Sequence, residues 1–106
     1  MPRYMIQGSY TQEGIQGVLK EGGSGRVDAI GKMLADMGGS LESFYFAFGE
    51  DDIVVIAELP DNASAAAIGM AVGASGGARI RTTILMTADE VDAASHKTVG
   101  YRAPGR

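Results

Sequence analysis

The stretch Phe46–Glu58, FAFGEDDIVVIAE, decides how this chain folds. Two apolar runs flank Gly49-Glu50-Asp51-Asp52, a short polar interval of the kind that joins two strands of a β-hairpin. Three of the four residues are acidic, so an acid/base or metal site is the alternative interpretation. Adjacent aspartates on an extended chain point to opposite faces, and a calcium loop needs ligands at alternate positions of a longer loop. We therefore interpret the interval as a charged turn, in which Asp52 caps backbone amides of its own turn.

The regions on either side of this hairpin predict a βαββαβ order. Alternating apolar residues and the stop at Pro60 predict four strands, over residues 3–10, 41–48, 53–59 and 78–86. Helical spacing, glycine stops and capping residues predict helices over about 12–20, 26–37 and 62–75, and a short last helix from Thr87 to about residue 94. In the second strand we expect one face to carry Phe44, Phe46 and Phe48, and the other to carry Leu41, Ser43, Tyr45 and Ala47.

This order is typical of the α+β ferredoxin-like fold, a four-stranded antiparallel sheet with two helices on one face, here followed by a short C-terminal helix. The second and third strands are apolar on both faces, but the helices can cover only one. Because an exposed apolar sheet face is unfavourable in water, the sequence predicts that a second copy covers it, sheet against sheet, as a homodimer. The alternative is that the terminal helix and the tail fold back over that face, although they are short for four strands.

The composition excludes several classes of protein. The 106 residues, 45% of them hydrophobic, suit one globular domain. There is no cysteine, which excludes disulfides, thiolate metal sites and cysteine nucleophiles. The net charge of −4 argues against a general affinity for nucleic acid or for anionic membranes. With no secretory pattern at the N-terminus and no long apolar run, we expect a cytoplasmic protein without a cofactor.

The fourth strand carries the charges that best suit a ligand. Arg79 and Arg81 share one face, and Glu58 or Glu42 could pair with one of them. One interpretation is a salt-bridged or exposed face. The other is a lining that binds a small anion such as a carboxylate.

The glycine cluster KEGGSGR, residues 20–26, also allows two interpretations. It lacks the spacing of a phosphate-binding loop and does not directly follow a strand. Its amides, with Lys20 and Arg26 nearby, could still bind an anion. The structural interpretation is a hinge between two helical halves.

Three tyrosines and the only histidine complete the candidates. Tyr4, Tyr10 and Tyr45 could line a small cavity between sheet and helices, or pack in the core with a satisfied hydroxyl. His96 lies in a polar tail, where the sequence supports neither a metal site nor a serine–histidine–acid triad. If the chain is an enzyme, Tyr10, Arg81 and His96 are the candidate catalytic residues.

Four stretches of the chain together resemble one family of domains. They span about Arg3–Ala93 and read YMIQGSYTQEGIQG, KEGGSGR, GGSLESFYFAFGEDDIVVIAELPDNASAAA and RIRTTILMTADEVDAA. They are similar to the GYD-domain family, whose members look like dimeric α/β-barrel proteins. The namesake glycine, tyrosine and aspartate lie in the turn before the third strand. Gly49 and Asp52 fit a spaced form of this motif, and Asp51 stands where the tyrosine is expected.

The resemblance implies a fold and an oligomer rather than a reaction. We expect a GYD-like domain over residues 1–94 and a C-terminal tail over 95–106, whose Val99 and Tyr101 could dock on a neighbouring subunit. Similar barrels serve as cofactor-free monooxygenases and as small-molecule sensor domains, so the fold alone leaves the function open. Our first hypothesis is a homo-oligomeric module for small-molecule binding or assembly. The alternatives are a cofactor-independent monooxygenase-like or isomerase-like enzyme, and a protein-interaction scaffold.

Overall fold

A computed structural model describes all 106 residues and confirms the ferredoxin-like α+β fold. A single antiparallel sheet has the strand order β2-β3-β1-β4. Its strands are β1 (Arg3–Tyr10), β2 (Ser40–Phe46), β3 (Ile53–Glu58) and β4 (Ala78–Leu85). The helices are α1 (Gln12–Asp36), α2 (Asn62–Ser75) and α3 (Ala88–Ser95). None of these helices is long and apolar enough to cross a membrane.

Strand β2 differs from the prediction in its end and in its faces. It stops at Phe46, and the Phe48 side chain is 98% exposed, so Phe48 does not join the face of Phe44 as expected. The pairing with β3 shifts between Leu41 and Ser43, which marks an irregularity of the β-bulge kind. The shift turns Leu41 towards the helices, where it packs against the core on the same side as Phe44. The expectation that these two residues lie on opposite faces was therefore wrong.

Helix α1 replaces the two separate helices that the glycine cluster predicted. The predicted interruption is confirmed, but it is confined to Gly22, whose backbone angles are φ 81° and ψ 166°. Glycine tolerates this positive φ because it has no Cβ. The helix resumes at the next residue, so α1 is one kinked element rather than two helices with a loop between them.

The core lies between the sheet and helices α1 and α2. One cluster of buried side chains contains Tyr4, Leu34, Ala57, Leu59, Ala65 and Ile68, and a smaller one contains Ile6, Ile53 and Val55. The hydroxyl of buried Tyr4 donates a hydrogen bond of 2.6 Å to Oδ1 of Asn62 on α2. The pairing of Tyr4 with a polar partner follows the expectation for a core tyrosine.

Both long helices begin at residues with side-chain caps. Thr11 accepts from the N–H of Gly14, while its own hydroxyl donates to the Gly76 carbonyl at 2.7 Å, which ties the start of α1 to the turn before β4. Asp61 accepts hydrogen bonds of 2.8 Å from both the N–H and the hydroxyl of Ser64. The bond from the Ser64 N–H, and then that from its hydroxyl, lower the pKa of Asp61 below its usual value.

The open face is the side of the sheet that faces away from α1 and α2. Cross-strand pairing aligns Ser43, Ile56, Met5 and Thr83 in one row, and Tyr45, Val54, Gln7 and Arg81 in the next. Met5, Val54 and Ile56 at the centre of these rows are only partly buried, and Tyr45 is 70% exposed. The chain therefore leaves an apolar patch uncovered in the middle of its own sheet.

Helix α3 and the tail do not cover the open face. Every residue from Met86 to Arg102 is exposed, so the alternative in which this segment folds back over the sheet was wrong. The radius of gyration is 16.9 Å, above the roughly 13 Å of a compact chain of this length. The segment thus lies outside the compact body, although Thr87 and Glu90 form the predicted capping box of α3.

Candidate functional site

A small cavity lies between the sheet and helices α1 and α2. Its volume is about 60 Å³. The sheet contributes Ile6, Tyr10, Phe44, Ile53, Val55, Ala78 and Ile80 to the wall; α1 and α2 contribute Arg26, Ile30, Met33, Leu34, Ile68 and Val72. A cavity with walls of this kind suits an apolar molecule, because water needs several polar partners to stay bound.

The alternation of strand residues explains this wall. Residues two apart on a strand point to the same face, so Ile6 and Tyr10 on β1, and Ile53 and Val55 on β3, all face the helices. Gly8 lies between Ile6 and Tyr10 on the same face. A Cβ at Gly8 would collide with the backbone carbonyl of Arg79, so the close approach of β1 and β4 at this point requires glycine.

A second, more open pocket adjoins the cavity. Its volume is about 320 Å³, and it shares Tyr10, Arg26, Val72 and Ala78 with the inner cavity. Glu13 and Glu21 of α1 lie on the outer part of its wall. The four shared residues form the junction between the two pockets.

Arg26 supplies the charge at this junction. It is the only charged residue on the wall of the inner cavity. Its Nη1 donates to Oε1 of Glu21 at 3.3 Å, a pair that spans the kink at Gly22. Its Nε is buried and has no hydrogen-bond partner. A buried donor without an acceptor is unfavourable, so this edge of the guanidinium is suited to donate a hydrogen bond to a ligand oxygen.

The chain matches the family model of the GYD domain over residues 4–95, most of its length. The protein belongs to the GYD-domain family. Comparisons with curated proteins and with solved structures found no match. The fold and cavity of this GYD domain are therefore interpreted from its own residues.

The acidic turn of this GYD domain contacts neighbouring strands instead of forming a carboxylate cluster. Asp51 binds Arg81 with an Oδ2–Nη2 distance of 2.7 Å. Asp52 accepts from the N–H of Tyr10 at 2.9 Å, so it caps strand β1 rather than its own turn. Gly49 is exposed and has free space around its Cα. Asp51 thus links the hairpin to β4.

The acidic partners predicted for the strand-four arginines bind elsewhere. Glu42 and Glu58 both pair with Arg3, at 2.8 and 2.9 Å. Arg81 pairs with Asp51 and Arg79 is exposed, both on the open face. Tyr10, which faces the helices, is thus the only member of the predicted set Tyr10, Glu58, Arg79, Arg81 and His96 that lines the inner cavity.

His96 lies at the end of α3, away from the cavity. Its Nδ1 is 2.7 Å from the backbone carbonyl oxygen of Asp92, to which the ring N–H donates. The residue and its neighbours are exposed. No group of three or more histidine, aspartate or glutamate side chains in the structure is placed to hold a metal ion. His96 and Tyr10 therefore do not share a site within one chain.

The role of Arg26 as a cavity residue was missed by sequence reasoning, which considered it only as part of the glycine cluster. A signal was present: Arg26, Ile30, Met33 and Met37 follow one another at helical spacing of three or four residues. An arginine that takes an apolar position in such a stripe directs its side chain towards the core. That position distinguishes Arg26 from the exposed cations of β4.

Proposed function

We propose that this GYD domain binds a small, largely apolar molecule between its sheet and its helices, and that it works as a homodimer. The observation that supports binding is the apolar cavity of about 60 Å³, whose junction with the outer pocket carries Tyr10 and Arg26. Ligand sites are commonly concave and mostly apolar, with a few polar groups that orient the ligand. This combination is found at the cavity.

The composition of the wall favours binding over catalysis. General acid–base chemistry needs a group of suitable pKa within hydrogen-bond reach of the substrate, most often an imidazole or a carboxylate. The inner cavity has neither, and the closest carboxylates on the ligand path are Glu13 and Glu21 of the outer pocket. A cofactor-independent oxygenase or isomerase remains the second candidate, with Tyr10 and Arg26 as the groups that could polarise a substrate.

The proposed homodimer is supported by the open face. Its apolar centre of Met5, Val54 and Ile56 lies between ion pairs, Arg3 with Glu42 and Glu58 at one end and Arg81 with Asp51 at the other. An apolar centre with a polar rim is the usual anatomy of a protein interface. A second copy presents the same surface, and a two-fold axis would bring the two apolar centres together.

The binding proposal can be tested with a neutral apolar probe and a pair of phenylalanine variants. We expect 1-hexanol to shift the NMR methyl signals of Ile68, Val72 and Ile80, because these side chains line the cavity. Val72→Phe should block the junction and weaken binding by about tenfold or more, a difference of ~1.4 kcal/mol. The matched variant Ala71→Phe adds the same ring at an exposed position on α2 and should bind like the parent. Unchanged methyl signals in the parent protein would refute the proposal.

A further inference from the structure

Arg26 lies at the boundary between an apolar interior and a more open pocket. It lines both spaces, as do Tyr10, Val72 and Ala78. A charge next to apolar walls interacts strongly with a counter-charge, because water screens it less than at an exposed site. The position therefore favours ligands that combine an anionic group with an apolar part.

One edge of this guanidinium is free to bind such a group. Nη1 is held by Glu21, whereas Nε is buried and has no partner. The Nε of Arg3 likewise makes no well-aligned hydrogen bond, although a carboxylate oxygen of Glu42 lies 2.8 Å from it. In proteins the Nε and Nη donors on one side of an arginine form a fork that matches the two oxygens of a carboxylate.

We propose that Arg26 is the anion-binding residue of the cavity and that the ligand is a small carboxylate with a short apolar tail. This rests on the proposed binding function and adds the chemical class of the ligand. The carboxylate binds the free edge of Arg26, and the tail enters the inner cavity among Ile68, Val72 and Ile80. The volume of about 60 Å³ suits a short unbranched tail.

Glu21 competes weakly with this ligand. Its distance of 3.3 Å to Arg26 is long for a charge-assisted hydrogen bond, and the side chains of the pair are 44% and 31% exposed. Exposed pairs of this kind are weak and sensitive to salt. The carboxylate of Glu21 also adds negative charge to the outer pocket, so its removal should strengthen the binding of an anion.

The test compares hexanoate with 1-hexanol, two ligands with the same number of carbon atoms and different charge, by methyl NMR titration at low salt. We expect the parent protein to bind hexanoate about tenfold more tightly than 1-hexanol, as one charge-assisted hydrogen bond would provide. Arg26→Met keeps an unbranched apolar side chain but removes the charge. It should abolish the preference for hexanoate over 1-hexanol, whereas Glu21→Gln should increase the affinity for hexanoate severalfold.

Matched controls separate the possible outcomes. Arg79→Met removes the same charge from the open face and should keep the preference for hexanoate; an equal loss in this variant would assign the effect to net charge and overturn the proposal. Equal binding of the two probes by the parent would also overturn it, while the proposed binding function would stand. If neither probe binds the parent, the binding function itself fails. Arg26→Gln serves as a second neutral variant if Arg26→Met does not fold.

Discussion

The two faces of the sheet both carry apolar side chains, but only one of them is covered by helices. On β3, Ile53, Val55 and Ala57 are buried beneath the helices, while Val54 and Ile56 between them are partly buried on the open face. The helix face encloses a cavity with one arginine on its wall, and the open face has an apolar centre between ion pairs. The comparison shows that topology, more than the apolar character of a strand, decides which side is the core within one chain.

The largest effect is expected from a truncation on the helix face. Leu34 is fully buried, so Leu34→Ala should lower the free energy of unfolding by about 2–5 kcal/mol through lost burial and an enlarged cavity. Leu19→Ala removes the same atoms from a side chain that is 82% exposed. It should change the free energy of unfolding by less than about 0.5 kcal/mol. Urea unfolding measures both variants. Equal losses would contradict the division between the core and the surface of α1.

The open face is tested by placing a charge at its centre. Ile56→Lys should weaken the proposed dimer by at least about a hundredfold, because an unpaired charge in an apolar interface costs roughly 3 kcal/mol or more. The fold should persist, since Ile56 points away from the helices. Light scattering at micromolar concentration measures the mass, and Ala66→Lys on the exposed side of α2 is the control. A monomeric parent protein would refute the dimer directly.

Deletion of residues 95–106 tests whether the tail belongs to the same interface. The tail is almost entirely exposed, so we expect the body to keep its fold, while the dimer weakens if Val99 and Tyr101 dock on the neighbouring subunit. The full-length double variant Val99→Ser and Tyr101→Ser should reproduce the loss without shortening the chain. Circular dichroism reports the fold and light scattering the mass. Unchanged mass and stability would show that the tail has no part in the assembly.

The smallest effect concerns the cap of α2, which supports the helix face. Since the pKa of Asp61 is lower in the folded state, the carboxylate stabilises the fold at pH values above its unfolded-state pKa. This contribution is lost as the pH falls through the lowered folded-state pKa. Between pH 2 and 7, the free energy of unfolding of Asp61→Ala should be lower than that of the parent protein near neutrality, and this difference should disappear in acid. Asp61→Asn retains a capping side chain without a titrating group, so its stability difference from Asp61→Ala should not vary with pH. If that difference varied with pH as the parent's does, Asp61 would not be the titrating group.

The sequence predicted the fold well because the residues that start and end its helices and strands act locally. Pro60, the capping residues Thr11 and Asp61 and the glycines around the helices fixed the bounds of most elements to within one or two residues. The errors arose where pairing overrides alternation. The shift between Leu41 and Ser43 turned Leu41 to the helix face, and the strand stopped before Phe48. Neither effect has a clear local signal.

The candidate site was harder to predict because its parts come from six elements. Tyr10 was identified as a cavity residue, and it does line the cavity. The cations on β4 were preferred over Arg26 because two arginines two residues apart form a visible pattern. Their side chains face away from the helices, a consequence of the register with β1 that pairs Gln7 with Arg81 and Ser9 with Arg79. Register depends on partners distant in sequence, so the pattern alone could not show which cation meets the cavity.

By itself, the sequence determined the order of the elements, the ferredoxin-like fold, the hairpin at Gly49–Asp52 and membership of the GYD-domain family. The tertiary structure alone decided that the kink at Gly22 places Glu21 and Arg26 within reach of each other, and that Asp51 and Asp52 bind two other strands. The physical reason is the distance along the chain over which each interaction acts. Caps, turns and periodicity act over a few residues and can be identified in the local sequence. Cavities and ion pairs depend on which distant segments the fold brings together.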